Sequence, residues 1–407
     1  MSAGVCLAGL PVELVDKIFG KVESRDLVSL AVTSRQLNGI SIRRMYANVT
    51  LMDSEQAMKC FKTLISNVQC AQSVMELTLR FRQIATQEEF SSTLVAAMRN
   101  IDALTDLNIP RSPEILGILS EIHFPRLRAS LIPFCPNTAR FLQLHPNLES
   151  LFVQTLGQDL RLYDLPMPPL SMPHLTYFGG PDTVAEALVN SSLSRIDVYW
   201  NPQRKAPASA VYDAVSRSGA ELLSVYNSIS YWDPALLTTI VANAPKVTSI
   251  SFDNFGPIYD LGDVETVLAL VDDALAELRH LVYLRFYEPN PDDHTPVQAS
   301  TLEKEFQMVR RWGNRSPTLQ RCVFISETLW LRLKPNLWFP TPSIDGPPER
   351  QVHESWVRKK WFIATVRSST SLPSDYGDAL ETDYGKRMVA DVEAATRAWE
   401  SRERGAL

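Results

Sequence analysis

Six histidines, at 123, 145, 174, 280, 294 and 353, are the side chains best suited to move a proton or hold a metal, and their spacing argues against both uses. None forms an H-x-x-x-H pair, and none has a cysteine at ligand distance in the chain. Asp292, Asp293 and His294 stand together, but in a proline-containing loop that supplies one short cluster and no second ligand set. Cys6, Cys60, Cys70, Cys135 and Cys322 are odd in number, far apart and free of C-x-x-C pairing, which fits reduced thiols. No nucleophile elbow, phosphate-cradling glycine loop or dinucleotide fingerprint occurs. The expectation is a protein that is not an enzyme, with no metal and no cofactor.

Composition narrows the partners. The chain has 407 residues, a formal net charge of -6 and a pI near 5.6, which removes the broad basic field that nucleic acid rewards. With 45% apolar and 21% charged residues the chain reads as globular, and its length suggests two domains or a repeat array. Pro11 and Glu13 interrupt the first apolar stretch, and no basic region precedes it, so no signal peptide is expected. No apolar run reaches membrane-spanning length. The expected setting is the cytoplasm or nucleus, with no membrane and no nucleic-acid partner.

The first elements must be helices. Pro11 suits a first helical turn, and Leu14, Val15, Ile18, Phe19 and Val22 then recur at steps of three and four, giving one wide apolar stripe. Ser24 is positioned to cap a second helix carrying Leu27, Val28, Leu30 and Ala31, and a third begins near Thr33 or Ser34 and carries Leu37, Ile40 and Met45. Five large side chains on the first helix represent about 7 to 15 kcal/mol of gross burial, more than so small a bundle can hide. A partner surface is required, in this chain or another.

The ordered set Leu10-Pro11-x-Glu13-Leu14, Ile18-Phe19, Asp26-Leu27-x-x-Leu30 and Ser34-Arg35-x-Leu37 resembles the F-box family over about forty residues. Ser34 and Leu37 depart from the Cys and Trp frequent there. The resemblance implies a helical module docking on a Skp-type adaptor, and through it a cullin-RING ubiquitin ligase. Leu10, Pro11, Leu14, Ile18, Leu27 and Leu30 would then lie at or beneath the adaptor interface. The alternative is a helical cap covering the first layer of the following domain.

From residue 74 a six-residue pattern returns, apolar at its first, fourth and sixth places: "VMELTL" at 74, "LTDLNI" at 104, "LRASLI" at 127, "LESLFV" at 148, "LTYFGG" at 175, "LSRIDV" at 193, "LLSVYN" at 222, "VTSISF" at 247, "LVYLRF" at 281 and "LQRCVF" at 319. Pro125, Pro146, Pro173, Pro245 and Pro317 each stand two residues before a copy, where proline ends a helix and starts an extended segment. Helix-like stretches fill several gaps, one of them opened by a capping box of Thr86 and Glu89. Fourth and sixth places share one strand face and point inward, with the first place covering them. The array is similar to a divergent leucine-rich repeat; a mixed α/β domain with accidental leucine spacing is the alternative.

The expected fold class is therefore α/β. Its parts are a three-helix module over residues 1–50, a helical linker or cap over 51–73, and an irregular solenoid of parallel strands and convex helices over 74–332. A proline-rich segment follows over 333–352, then a C-terminal helical cap or tail over 353–407, where Trp356, Trp361, Met388, Val392, Ala395 and Trp399 offer apolar cover. Outward strand places, the third, fifth and seventh, should meet a protein substrate. They give Phe152, Gln154, Arg195, Asp197, Tyr199, Asp253, Tyr283, Arg285, Tyr287 and Arg321, with Tyr283, Arg285 and Tyr287 side by side. The function expected is substrate recognition for an SCF-type ubiquitin ligase; the alternative is a repeat scaffold or binding protein without ligase function.

Overall fold

A computed structural model describes residues 10–81, 87–109, 112–155, 167–201, 208–219, 221–256, 264–288, 299–334 and 337–342. Cys6, Thr86, the Asp292–His294 cluster, His353 and the whole expected C-terminal cap lie outside the described residues. The chain divides into two compact units, Met1–Ala220 and Glu221–Leu407. Both are mixed α/β with mostly parallel strands.

The first unit opens with α1 (Val12–Phe19), α2 (Ser24–Ala31) and α3 (Arg35–Ala47). Val15, Phe19, Leu27, Leu37 and Ile40 form their shared core, with Leu10, Val22, Leu30 and Met45 packed at its margin. The wide stripe expected on α1 is split: Val15 and Phe19 turn inward, while Leu14 and Ile18 turn outward. Ser34 caps α3 by accepting a 3.2 Å hydrogen bond from the Leu37 amide. Asp16 ties α1 to α3, receiving Arg43 Nη2 at 3.0 Å and the Arg44 guanidinium. Burial pushes the Asp16 carboxyl up, and hydrogen bonds and charge from Arg43 and Arg44 outweigh it, holding the group below its ordinary value.

Next come β1 (Asn48–Leu51), α4 (Ser54–Ser66), α5 (Val68–Ser73), β2 (Glu76–Leu79), α6 (Gln87–Met98), β3 (Asp106–Asn108), α7 (Pro113–Leu119), β4 (Ala129–Pro133), α8 (Thr138–Leu144) and β5 (Ser150–Gln154). They are followed by β6 (Leu170–Ser171), β7 (Tyr177–Pro181), α9 (Asp182–Ala187), β8 (Leu188–Val189), β9 (Arg195–Tyr199) and α10 (Ala208–Arg217). The strands β1, β2, β3, β4, β5, β7 and β9 pair in that order, all parallel, and β6 pairs with β8 apart from them. The second unit holds β10 (Ser224–Ile229), α11 (Pro234–Asn243), β11 (Ser249–Asn254), α12 (Val264–Glu277), β12 (Tyr283–Tyr287), α13 (Ala299–Arg315), β13 (Arg321–Val323), β14 (Thr328–Lys334) and β15 (Leu337–Pro342). Here β10 to β13 are parallel, and β13–β14–β15 pair antiparallel.

Every six-residue copy supplies a strand that begins at its third place. The first places, from Val74 and Leu104 through Leu281 and Leu319, are all buried, as are fourth-place residues such as Leu77, Leu151, Ile196, Ile250 and Leu284. Neighbouring copies are joined by one recurring device. The second-place carbonyl of a copy accepts both the second- and third-place amides of the next: Thr105 O from Arg128 and Ala129 at 2.8 and 2.9 Å, Val282 O from Gln320 and Arg321 at 2.9 and 3.0 Å. The five prolines do more than stop helices. Each is the second residue of a β-turn closed by a 3.1–3.4 Å backbone hydrogen bond, as in Leu127 N to Phe124 O and Leu319 N to Ser316 O, where its fixed φ is already correct.

Strands β1, β14 and β15 were not legible in the repeat pattern. β1 extends the array before residue 74, and β14 with β15 closes the far edge with an antiparallel hairpin. Pro340 and Pro342 are tolerated in β15 because it is the outermost of the described strands, where a missing amide breaks no ladder among them.

His145 is a core residue. Its Nε2 accepts the Phe124 amide at 3.0 Å, so the proton sits on Nδ1 and donates to Phe141 O at 2.7 Å. Burial, helped by the stacked His123 ring and opposed by the Phe141 carbonyl, holds the imidazole pKa at about 4. The unfolded chain binds this proton more readily from its ordinary value near 6.5 downward. Stability contributed by neutral His145 is therefore complete above that value, falls by at most about 1.4 kcal/mol per pH unit below it, and levels off under about 4. Denaturant titrations at pH 7, 6 and 5 should show a steeper fall for the natural chain than for His145→Gln; parallel slopes would refute the assignment.

Candidate functional site

Two surfaces stand out, one on each kind of element. On the helical module Val12, Leu14 and Ile18 of α1 are 44%, 47% and 41% exposed, and Val28 and Val32 of and after α2 are 57% and 84% exposed. Leu14 and Ile18 lie one helical turn apart, as do Val28 and Val32, so each pair shares a face. Pro11 is exposed and Leu10 and Leu30 half-buried, whereas Leu27 is sealed within the module's own core. The Leu27 side chain thus supports this surface from beneath. Val12, Val28 and Val32 were missed by sequence reasoning; the four-residue step from Val28 was the available signal.

The second surface is the outward face of the strands. In the first unit Arg195 binds Asp197 in bidentate fashion, Nε to Oδ1 at 3.1 Å and Nη2 to Oδ2 at 2.9 Å. Tyr177 Oη donates to the same Oδ2 at 2.9 Å, and the Arg195 guanidinium lies over the Tyr177 ring at 5.1 Å. Burial, then the charge and hydrogen bond of Asp197, push the Tyr177 phenol upward, and the Asp197 hydrogen bond raises Arg195 in turn. Phe152 meets Tyr199 edge to face at 5.9 Å. Gly179 lies in register between Phe152 and Asp197, and a Cβ there would stand 2.7 Å from the Phe152 ring and 2.9 Å from Tyr177 Oη. Only glycine lets these rings converge.

The second unit repeats the chemistry with different strands. Arg285 Nε lies 3.1 Å from Asp253 Oδ1, and Tyr226 Oη donates to Asp253 Oδ2 at 3.2 Å. The Arg285 guanidinium sits 4.8 Å over the Tyr287 ring, which meets the exposed Phe255 at 6.0 Å. In both units a buried aspartate accepts a tyrosine hydroxyl from the preceding strand and orients an arginine against a tyrosine face. Asp197 and Asp253 are therefore anchors under the surface, and the tyrosine rings and the more exposed Arg195 guanidinium lie above them. Gln154 and Arg321 are half-buried on the same faces, and Tyr283 packs toward β13 and β14. Tyr177 and Tyr226, passed over in the sequence, occupy a third and a fifth place and were reachable by the same rule.

Among the described residues no group of three His, Cys, Asp or Glu side chains is placed to hold a metal, and no helix is long and apolar enough to cross a membrane. Cys60 is pushed up to about 11 by burial, with Cys70 adding to the shift, and Cys322 is raised by burial, so neither is an activated thiol.

No protein-family description and no curated protein matches the sequence. Among solved structures the chain is similar to a Bacteroides fragilis protein determined by the Northeast Structural Genomics Consortium. The identity is 12%, the match covers 68% of this chain and 73% of that one, and the TM-score is 0.37.

Proposed function

We propose that this protein is the substrate-recognition subunit of an SCF-type ubiquitin ligase. Its helical module docks a Skp-type adaptor, its strand face binds a protein substrate, and the strands with their helices act as a leucine-rich repeat solenoid. One observation carries the reading. Leu14 and Ile18 remain 47% and 41% exposed on a helix whose inner face already has a complete core, so they are available to a separate polypeptide. The contribution to ubiquitin transfer is position: holding a substrate beside a charged conjugating enzyme raises effective concentration without any catalytic group here.

Recovery on an immobilised Skp-type adaptor tests this. Leu14→Asp combined with Pro11→Ala places a charge in the proposed interface and should lower recovery at least about tenfold with unchanged helicity. Equal recovery would remove the ligase reading. The second reading, a binding protein without ligase assembly, is favoured by the paired Tyr–Asp–Arg clusters, which can engage a partner whether or not an adaptor docks.

A further inference from the structure

The helices that connect the first unit's strands are not evenly packed. Phe61 of α4 meets Phe90 of α6 edge to face at 5.8 Å, and α7 is tied to α8 through Glu121 and Arg140 at 3.3 Å. Between α6 and α7 a trough of about 670 Å³ stays open. Side-chain size is the cause: α6 lines it with Ser91, Ser92 and Ala96 and α7 with Gly117, all too small to interdigitate. Leu94, Ala97 and Met98 of α6 and Ile115, Leu116 and Leu119 of α7 are buried, so the core is closed beneath it. What remains is a surface trough whose apolar floor, Val95 and Ile118, is half-buried.

Shape and charge narrow what fits. Ser91 to Arg99 on one wall and Glu114 to Glu121 on the other each cover about two helical turns, or about 12 Å. Because β2, β3 and β4 are parallel, the crossover helices α6 and α7 run in one direction, which puts Glu114 beside Ser91 at one end and Arg99 beside Glu121 at the other. Arg140 already meets Glu121, and Arg99 has no ion pair among the described residues, so that end is cationic. Glu114, whose carboxylate accepts the Ser112 hydroxyl at 3.1 Å, makes the other end anionic. Both walls are helices with their backbone groups bonded internally, and the Ser92 hydroxyl already donates to Glu89 O at 3.0 Å. An extended peptide would find no ladder for its own backbone here, whereas a helix brings its hydrogen bonds with it. We propose that the trough docks a short amphipathic helix of another protein. Its apolar face lies on Val95, Ala96 and Ile118, a lysine or arginine stands over Glu114, and an aspartate or glutamate two turns away stands over Arg99. The site belongs to α6 and α7 alone and holds whether or not the helical module docks an adaptor.

The test is selection of a phage-displayed library, a helix-forming frame of about fourteen residues randomised on one face, against the immobilised full chain. Enriched peptides should carry an apolar stripe with a basic residue near one end and an acidic residue about two turns away. In fluorescence anisotropy the best synthetic binder should lose at least about tenfold in affinity for Ala96→Trp, which fills the trough from an exposed helix position, and for Arg99→Glu. Replacing that peptide's acidic residue by lysine should restore binding to Arg99→Glu and weaken binding to the natural chain. Circular dichroism matching the natural chain shows that both variants are folded. No enrichment, enriched peptides without this charge order, affinity unchanged in folded Ala96→Trp, no rescue by the exchanged charge, or a dimer of the chain itself that Ala96→Trp dissolves would each overturn the proposal.

Discussion

Glu305→Gln is expected to stabilise the protein at and above neutral pH and to flatten its pH dependence between about pH 5 and 8. Glu305 on α13 is 4% exposed, accepts the Trp330 indole N–H at 2.9 Å, and packs where no cation faces it among the described residues. Burial raises its carboxyl to about 7, against the smaller downward pull of hydrogen bonds from Ser326 and Trp330. The unfolded chain loses this proton near 4.5, so between that value and about 7 the folded state binds more protons. Stability therefore declines as pH rises through this window, by about 3 kcal/mol in all, and the loss levels off above it. Glutamine keeps the shape and the acceptor oxygen but never ionises. Urea denaturation at pH 5, 7 and 8 measures the difference: a variant gaining stability over the natural chain as pH rises supports the account, and parallel curves contradict it.

Asp253→Ala should cost about 3 kcal/mol, the penalty for removing a carboxylate paired with a largely buried cation. Asp253 is buried, Arg285 is only 17% exposed in its side chain, and Tyr226 Oη loses its acceptor at the same time. A double-mutant cycle with Arg285→Met separates the pair from the rest, because removing both charges should recover a substantial part of the loss. If the two single losses simply add, the ion pair does not organise this face. The corresponding substitution in the first unit, at Asp197, should cost less, since Arg195 is 56% exposed and can be rehydrated.

The local pattern of the chain determined where strands begin. First, fourth and sixth places are buried copy after copy because alternation along a strand is a property of the backbone, and the prolines before five copies have the φ their turns require. The three leading helices were equally legible from their three- and four-residue steps and the Ser34 cap. What periodicity could not decide was which half of an apolar stripe is covered. Val15 and Leu14 are neighbours of one chemical kind, and only the packing of α2 and α3 against α1 sends one inward and the other to solvent. Nor could it separate anchors from contacts among outward residues. Asp197 and Asp253 look like Arg195 and Arg285 in a strand pattern, yet hydrogen bonds from adjacent strands bury the aspartates and lift the arginines onto tyrosine rings. Those bonds join residues 20 and 27 positions apart, a relation created by strand register and absent from any local window. The hairpin β14–β15 escaped for the same reason: edge pairing depends on which backbone groups the last parallel strand leaves open, and that is settled only once the sheet exists.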